Sequence, residues 1–330
     1  MNRNRANQNL AIRIHAFGGV EQLRFEASPV SAPAAGEVQV QQTAIGVNFI
    51  DTYHRSGLYP IPLPGVLGQE AAGIVVALGS DAHGFAPGDR VAYCTAGTGA
   101  YTQIRNVAAA KLLKLPDHVS DVQAAASLLK GMTCEYLLRR TYPVKAGDVV
   151  LFHAAAGGVG SLAVQWLKRL GATVIGTVGS AEKASQAKLL GCDHVVLYRE
   201  RDFVAEVLAI TQGRGVSVVY DSIGKDTLDR SLEVLKPRGM LVAFGNASGR
   251  PNPIDPLTLS AKGSLFLTRP KLADYVATRG ELETSAAAWF AVLADGVQVS
   301  VSARYCLADA AAAQQALESR ASTGCIVLMP

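Results

Sequence analysis

The stretch from Val149 to Lys183 constrains the fold more than any other. An apolar run, Val149 to Phe152, enters a small-residue loop from Ala154 to Gly160; a helical segment follows, then a second apolar run from Thr173 to Val178. The helical stripe is Leu162, Ala163, Trp166, Leu167 and Leu170, and Gly171 stands where a C′ glycine ends a helix. Strand, tight turn, helix and strand make one βαβ unit. Its turn holds Gly157, Gly158 and Gly160. Glycines there let the backbone turn tightly, approach a pyrophosphate and pack the helix on the strand. The helix N-terminus aims unpaired N–H groups and a partial positive charge at phosphate. In the G-x-G-x-x-G fingerprint, Ala155 takes the first position, and Gly157 and Gly160 take the others. A glycine-rich turn alone also serves as a plain strand–helix connection. The strand before it and the periodic helix and strand after it are what point to a dinucleotide.

The same alternation continues. Ser180 caps a helix to Leu190, stopped by Gly191, and Val195 to Tyr198 reads as a third strand. Asp202 caps a helix to about Thr211, and Val216 to Tyr220 is a fourth strand, followed by Asp221 and Ser222. Leu228 to Leu235 reads as a helix stopped at Pro237-Arg-Gly239; Met240 to Phe244 and Gly263 to Leu267 read as fifth and sixth strands. Alternating strands and helices imply a doubly wound parallel sheet. Before this region the chain is β-rich. Leu10 to Ile14, Val38 to Ala44, Ala72 to Leu78 and Arg90 to Cys94 are strand-like, and no helix-period stretch interrupts them before Val122. Val122 to Leu138 is helical, with a break expected near Lys130-Gly131. After Leu272 come an alanine-rich helix, Thr284 to Leu293, and an apolar run, Cys325 to Met329, that can rejoin the first sheet. The fold class is therefore α/β. A barrel-like β domain is expected from residues 1–127 and 270–330, with 1–9 a loose tail, and the parallel-sheet domain from 128–269.

A chain of 330 residues, 49% hydrophobic, can bury two cores. Its net charge of +4 comes from scattered lysines and arginines and argues against a nucleic-acid partner. Five cysteines without C-x-x-C spacing suit a reducing, cytoplasmic compartment. The polar N-terminus lacks an apolar core like that of a signal peptide, and no apolar run reaches membrane-spanning length.

Several segments then match a known family: Gly46-Val-Asn-Phe-Ile-Asp-Thr-Tyr53, Arg55-Ser-Gly-Leu-Tyr59, Glu70-Ala-Ala-Gly73, Ala86-Pro-Gly-Asp-Arg90, His153-Ala-Ala-Ala-Gly-Gly-Val-Gly160, Phe244-Gly-Asn-Ala-Ser-Gly249 and Glu318-Ser-Arg-Ala321. In this order they resemble the zinc-free quinone oxidoreductases of the medium-chain dehydrogenase/reductase superfamily. That group includes zeta-crystallin and the bacterial NADPH:quinone reductases. The resemblance implies a GroES-like catalytic domain built from both chain ends, beside a Rossmann domain. It also implies a homodimer joined at the sixth-strand edge near Gly263 to Leu267.

Zinc-dependent members of the superfamily hold a catalytic metal with Cys and His. Here Asn48 resembles the first ligand position, Gln69 stands where the histidine would be, and no Cys/His pair has ligand spacing. No metal is expected. His54 and His153 read as ordinary structural histidines. Without a Lewis acid, hydride is expected to go to an acceptor that is already electrophilic, such as a quinone. By resemblance Asn48 lies near the nicotinamide and Tyr53 and Tyr59 near the substrate, where their phenols can stabilise an oxyanion. Packing at a domain edge is the alternative for both tyrosines.

NAD enzymes place an acid at the end of the second strand to hold the ribose hydroxyls. This strand ends Gly176-Thr-Val-Gly179-Ser180, with no acid before Glu182, so NADP(H) is expected, its 2′-phosphate held by Lys183 and Tyr198. Lys183 otherwise reads as a solvated helix lysine. The full set of cofactor candidates is Asn48, Thr133, Ala156, Gly157, Gly158, Val159, Gly160, Gly179, Ser180, Lys183, Tyr198, Ser222, Phe244, Gly245, Asn246, Leu267 and, as the resemblance implies, Arg320. The expected activity is NADPH:quinone oxidoreductase. An NADPH-dependent enone or alkenal reductase is the enzymatic alternative, and a nucleic-acid-binding or crystallin-like structural protein the alternative of another class.

Overall fold

The computed structural model describes residues 9–319 and 323–330. The strands and helices begin with β1 (Leu10–Ile14), β2 (Arg24–Ala27), β3 (Glu37–Val47), α1 (Phe49–Ser56), β4 (Gly65–Val66), β5 (Glu70–Leu78), β6 (Arg90–Tyr93), β7 (Ile104–Ala108) and β8 (Leu113–Lys114). Helix α2 (Asp121–Tyr136) ends in a π turn over Leu137–Thr141. The alternating region contains β9 (Val149–His153), α3 (Gly158–Arg169), β10 (Thr173–Val178), α4 (Ala181–Leu189), β11 (His194–Leu197) and α5 (Phe203–Ile210). It continues with β12 (Val216–Asp221), α6 (Leu228–Ser231), β13 (Leu235–Ala243), α7 (Pro256–Ala261), β14 (Phe266–Thr268) and α8 (Leu272–Tyr275). The chain closes with α9 (Arg279–Ala294), β15 (Val301–Cys306), α10 (Ala310–Glu318) and β16 (Cys325–Met329).

These elements form two compact units. Of the described residues, the first comprises those up to Lys130, Thr278–Asp295 and those from Val299 onwards; the second comprises Gly131–Ala277 with Gly296–Gln298. In the first, β15, β16, β3, β5, β6 and β8 lie side by side with β7 also on β3, and β2, β1 and β4 form a smaller sheet. The C-terminal strand does rejoin this unit: β16 runs antiparallel to β3, with Ile326 opposite Val47 and Leu328 opposite Ile45. Along β3 burial alternates, with Val38, Val40, Gln42 and Ala44 turned inward. Their core includes Ile12, Ile14, Val91, Tyr101, Ile326 and Leu328, with Leu307, Ala310 and Ala313 from the C-terminal segment.

In the second unit six strands run parallel in the order β11-β10-β9-β12-β13-β14. Every residue of β12 is buried, and so is all of β9 but Val149, because a parallel sheet is covered on both faces. A separate core gathers Leu151, Ile175, Val196, Val207, Val219, Leu232 and Leu241. Ser180 and Asp202 cap α4 and α5 as expected, and Gly171 and Gly191 take left-handed φ just past α3 and α4.

Several local expectations need correction. Helix α1 does precede Val122. It has no apolar stripe to reveal it, since its buried residues are Asp51, Thr52, His54 and Arg55. Helix α2 is not broken at Lys130-Gly131: Leu129 N–H and Lys130 Nζ both bond Glu70, and this anchoring outweighs the roughly 1 kcal/mol helix cost of a glycine. The segment from Leu228 is one turn of α6 and a 3₁₀ turn, and β13 starts at Leu235 and passes through Pro237-Arg-Gly239. Strand β15 and helix α10 lacked a recognised pattern. Residues 270–277 fall in the second unit rather than the first. There Tyr275 stacks on Tyr136 at 4.6 Å, its carbonyl accepts from Arg140, and its hydroxyl accepts from Thr141. The chain re-enters the first unit at Thr278, which caps α9 with Glu281 in a capping box.

Candidate active site

In the first unit the centre is Asn48, where β3 ends and α1 begins. Its backbone N–H donates to Asp51 Oδ2 at 2.9 Å, and its side-chain Nδ2 donates to Glu70 Oε1 at 2.8 Å. Glu70 is fully buried. Its Oε1 also accepts from Lys130 Nζ at 3.0 Å, and its Oε2 from Leu129 N–H at 2.7 Å. Burial opposes the charge on Lys130, but Glu70, helped by Cys325 and Asp51, raises the lysine pKa overall. Asp51 Oδ2 accepts a second bond from Tyr101 Oη at 2.9 Å, whereas Oδ1 is buried with no hydrogen-bond partner among the described residues. Burial, reinforced by Glu70 and opposed by the Asn48 N–H, Tyr101 and Lys130, pushes the Asp51 pKa up to about 7. Burial also pushes the thiols of Cys94 and Cys325 up, against the pull of Lys130.

Tyr53 lies on the same helix and Tyr59 just past its end. Both are half-buried, their rings meet edge to face at 5.3 Å, and Tyr59 N–H donates to the Tyr53 carbonyl at 3.1 Å. Gly57, at φ +81°, ends α1 and turns the chain back between them. Arg55 ties α1 to α10, donating to Gln314 Oε1 at 2.6 Å and Glu318 Oε1 at 2.7 Å. His54 is buried, which lowers its pKa and keeps it neutral.

In the second unit the remaining candidates gather along the carboxyl edge of the parallel sheet, where open α/β sheets bind ligands. After β9 the loop is pinned by Ala155 N–H to the Thr177 carbonyl, and Gly157 is the N-cap of α3. A Cβ on Gly160 would stand 2.2 Å from the Ala154 carbonyl oxygen, so only glycine fits there. Ala155 replaces the first fingerprint glycine because Gly176 makes room opposite: a Cβ on Gly176 would stand 2.7 Å from the Ala155 methyl. Val159 and Gly158 lie half-buried in the first turn of α3, beside the buried Ala156. Past β12 and β13, Ala247 N–H bonds the Ser222 carbonyl and Phe244 N–H that of Asp221; Gly245 again excludes a Cβ, 2.5 Å from Ser222 O. Asn246 completes that turn, accepting from Gly249 N–H.

Past β10, Ser180 Oγ accepts from the Lys183 backbone N–H, which fixes the first turn of α4. Tyr198 follows β11 and packs against the core of this unit. Leu267 lies on β14, half turned to solvent, and Thr133 on α2. Arg320 lies outside the described residues. His153 is structural: its Nδ1 meets Thr177 Oγ1 at 2.8 Å and its Nε2 meets Ser231 Oγ at 3.0 Å. Burial lowers its pKa despite Asp221 nearby.

Sequence reading missed Asp51, Glu70, Tyr101 and Lys130 as individual groups. Lys130 does leave a trace, a lone charge between Leu129 and Met132 in an apolar helix. Arg199, which lies against Gly179, left none. Among the described residues no group of three or more His, Cys, Asp or Glu could hold a metal ion.

The chain matches two family models, an alcohol dehydrogenase GroES-like domain over residues 34–117 and a zinc-binding dehydrogenase over 158–275. It is 50% identical to a quinone oxidoreductase of Salmonella typhimurium over 97% of this chain and 99% of that protein. It is 47% identical to a 2-haloacrylate reductase of a Burkholderia species over 97% and 99%. A crystal structure of Escherichia coli quinone oxidoreductase complexed with NADPH superposes with TM-score 0.95 at 48% identity, covering 97% of this chain and 100% of that one.

Proposed function

We infer the reaction from one premise: the chain belongs to the quinone oxidoreductase family of the medium-chain dehydrogenase/reductase superfamily. It is an NADPH-dependent quinone reductase. The observation that carries this reading is the Asn48 amide held by buried Glu70, at the position where a zinc ligand stands in alcohol dehydrogenases. Zinc takes thiolates, imidazoles and carboxylates. Here the Glu70 oxygens are engaged by Asn48, Lys130 and Leu129, Gln69 is an amide, and burial holds Cys94 protonated. These residues do not fit zinc, and no step runs through one. The acceptor must therefore be electrophilic on its own account, as a quinone is.

The second unit fits NADPH, because Gly160 and Gly245 let the loops past β9 and β13 pack tightly at the carboxyl edge of the sheet, and Gly157 and Gly158 carry no side chain at the half-buried N-terminus of α3. Bound there, the cofactor supplies the hydride. Ala156 to Gly160 would hold the pyrophosphate on the N-terminus of α3. Gly179, Ser180, Lys183 and Tyr198 would hold the adenosine 2′-phosphate, and Thr133, Ser222, Phe244, Asn246 and Leu267 would supply further contacts. Asn48 would orient the nicotinamide, its amide fixed by Glu70. Tyr53 and Tyr59 would donate to the oxyanion that develops as the quinone accepts hydride, and water can protonate the product.

The 47% identity to a 2-haloacrylate reductase favours one second reading, reduction of a C=C bond conjugated to a carbonyl group. NADPH oxidation measured with quinones, enones, 2-haloacrylates and secondary alcohols separates the two. Quinones should give the highest kcat/KM, undiminished by prolonged chelation. A secondary alcohol as the best substrate, or activity lost together with one zinc per chain, would overturn the reading. The proposal includes a homodimer through the exposed edge of β14, where Phe266 is 56% and Leu267 38% exposed. It also includes a cytoplasmic location, which suits cysteines that form no disulfide among the described residues. No helix among the described residues is long and apolar enough to cross a membrane.

A further inference from the structure

We propose that Arg199 is a specificity-determining residue for the cofactor, a guanidinium clamp on the adenosine 2′-phosphate. The proposal rests on the NADPH reading above. Gly179 follows β10 at the sheet's carboxyl edge, and the space its missing side chain leaves is taken by residues just past the neighbouring strand β11. A Cβ there would lie 3.3 Å from Arg199 Nε, 3.6 Å from its Cζ and 3.6 Å from Tyr198 Cε1. The guanidinium thus lies across the strand end where an NAD enzyme carries an acid for the ribose hydroxyls.

The loop between β11 and α5 involves three arginines: Arg201 pairs with Glu206, and Arg230 reaches in to pair with Asp202. Arg199 makes no ion pair among the described residues. An exposed, unneutralised cation here would repel nothing in NADH and attract a dianionic phosphate in NADPH. Its planar fork can grip two phosphate oxygens at once, which a lysine cannot. Tyr198 stiffens the arrangement, since its ring is fixed against the core. Lys183 and Arg199 would then approach the phosphate from α4 and from the end of β11. Removing either should leave partial discrimination.

The test measures Kd for 2′,5′-ADP and for 5′-AMP, two adenosine fragments that differ by the 2′-phosphate alone, together with NADPH and NADH. Arg199→Gln should weaken 2′,5′-ADP and NADPH by about tenfold and leave 5′-AMP and NADH unchanged. Arg199→Lys should recover part of the loss, and the salt dependence of 2′,5′-ADP binding should be shallower in Arg199→Gln than in wild type. A wild type that prefers 2′,5′-ADP over 5′-AMP, with Arg199→Gln keeping that preference within about twofold, overturns the role of Arg199 and leaves the NADPH reading standing. Equal loss for both fragments also overturns it. A wild type that does not distinguish the fragments overturns the NADPH reading itself and the inference with it.

Discussion

Asp51 is a carboxyl held where ionising is costly. It is completely buried, and its pKa stands at about 7 because desolvation outweighs the Asn48 N–H, Tyr101 and Lys130, with Glu70 adding repulsion. In the unfolded chain the same group titrates near about 3.9. Between those values the folded protein binds more protons than the unfolded one, so this group's contribution to stability falls as pH rises and levels off above about 7. The slope is at most ~1.4 kcal/mol per pH unit. Asp51→Asn removes it while keeping an oxygen for the Asn48 N–H. The stability of the variant relative to wild type should therefore rise from about pH 4 to about pH 7 and then stay level, as urea unfolding across that range would measure. A difference that does not change with pH would place the Asp51 titration elsewhere. The buried Glu70–Lys130 pair is the neighbouring charge to watch in such a series, because both groups act on the Asp51 titration.

At the scale of the element, the loop from β9 into α3 separates two uses of glycine. Gly160 is needed by the fold, since a Cβ would meet the Ala154 carbonyl at 2.2 Å. Gly157 is the half-buried N-cap with ordinary φ of −78°, and a Cβ would stand 3.1 Å from the same oxygen. Gly160→Ala should cost about 1–3 kcal/mol of stability and weaken NADPH. Gly157→Ala should cost no more than about 1 kcal/mol yet also weaken NADPH, because in the proposed cofactor site the backbone there would face the phosphates. Thermal unfolding and fluorescence titration of the two variants check this. Unchanged NADPH affinity in Gly157→Ala would remove that residue from the phosphate loop. Helix α1 makes the same point from the opposite side: its buried face is polar, so its stability comes from the bonds of Asp51 and Arg55 rather than from an apolar stripe.

For the molecule as a whole, the open edge of the parallel sheet sets the expected assembly. Strand β14 is paired on one side, with β13, and Phe266 and Leu267 are exposed on it, with Leu257 exposed on the helix just before. An uncovered edge with apolar side chains is a template for pairing with a second copy. Light scattering at micromolar concentration should find a dimer. Phe266→Glu should shift it to monomer while NADPH affinity stays unchanged, because Phe266 is no part of the proposed cofactor site. A monomeric wild type would refute edge pairing.

Local sequence alone determined the parallel sheet, the glycine loop, the caps at Ser180 and Asp202 and the carboxyl-edge positions of Gly179, Tyr198, Ser222 and Phe244. Each depends on periodicity or turn chemistry that spans only a few residues. Even the closing of β16 on β3 could be anticipated, since an apolar run at a chain end needs a sheet to join. Only the tertiary structure joined Asn48 to Glu70 and Lys130, Asp51 to Tyr101, Arg55 to Gln314, and Arg199 to Gly179. These partners come from distant stretches of chain, and no local pattern records a bond between two polar residues that fold together. The cost of burying an unpaired polar group is what makes such bonds necessary, and only the packed chain shows which group answers which.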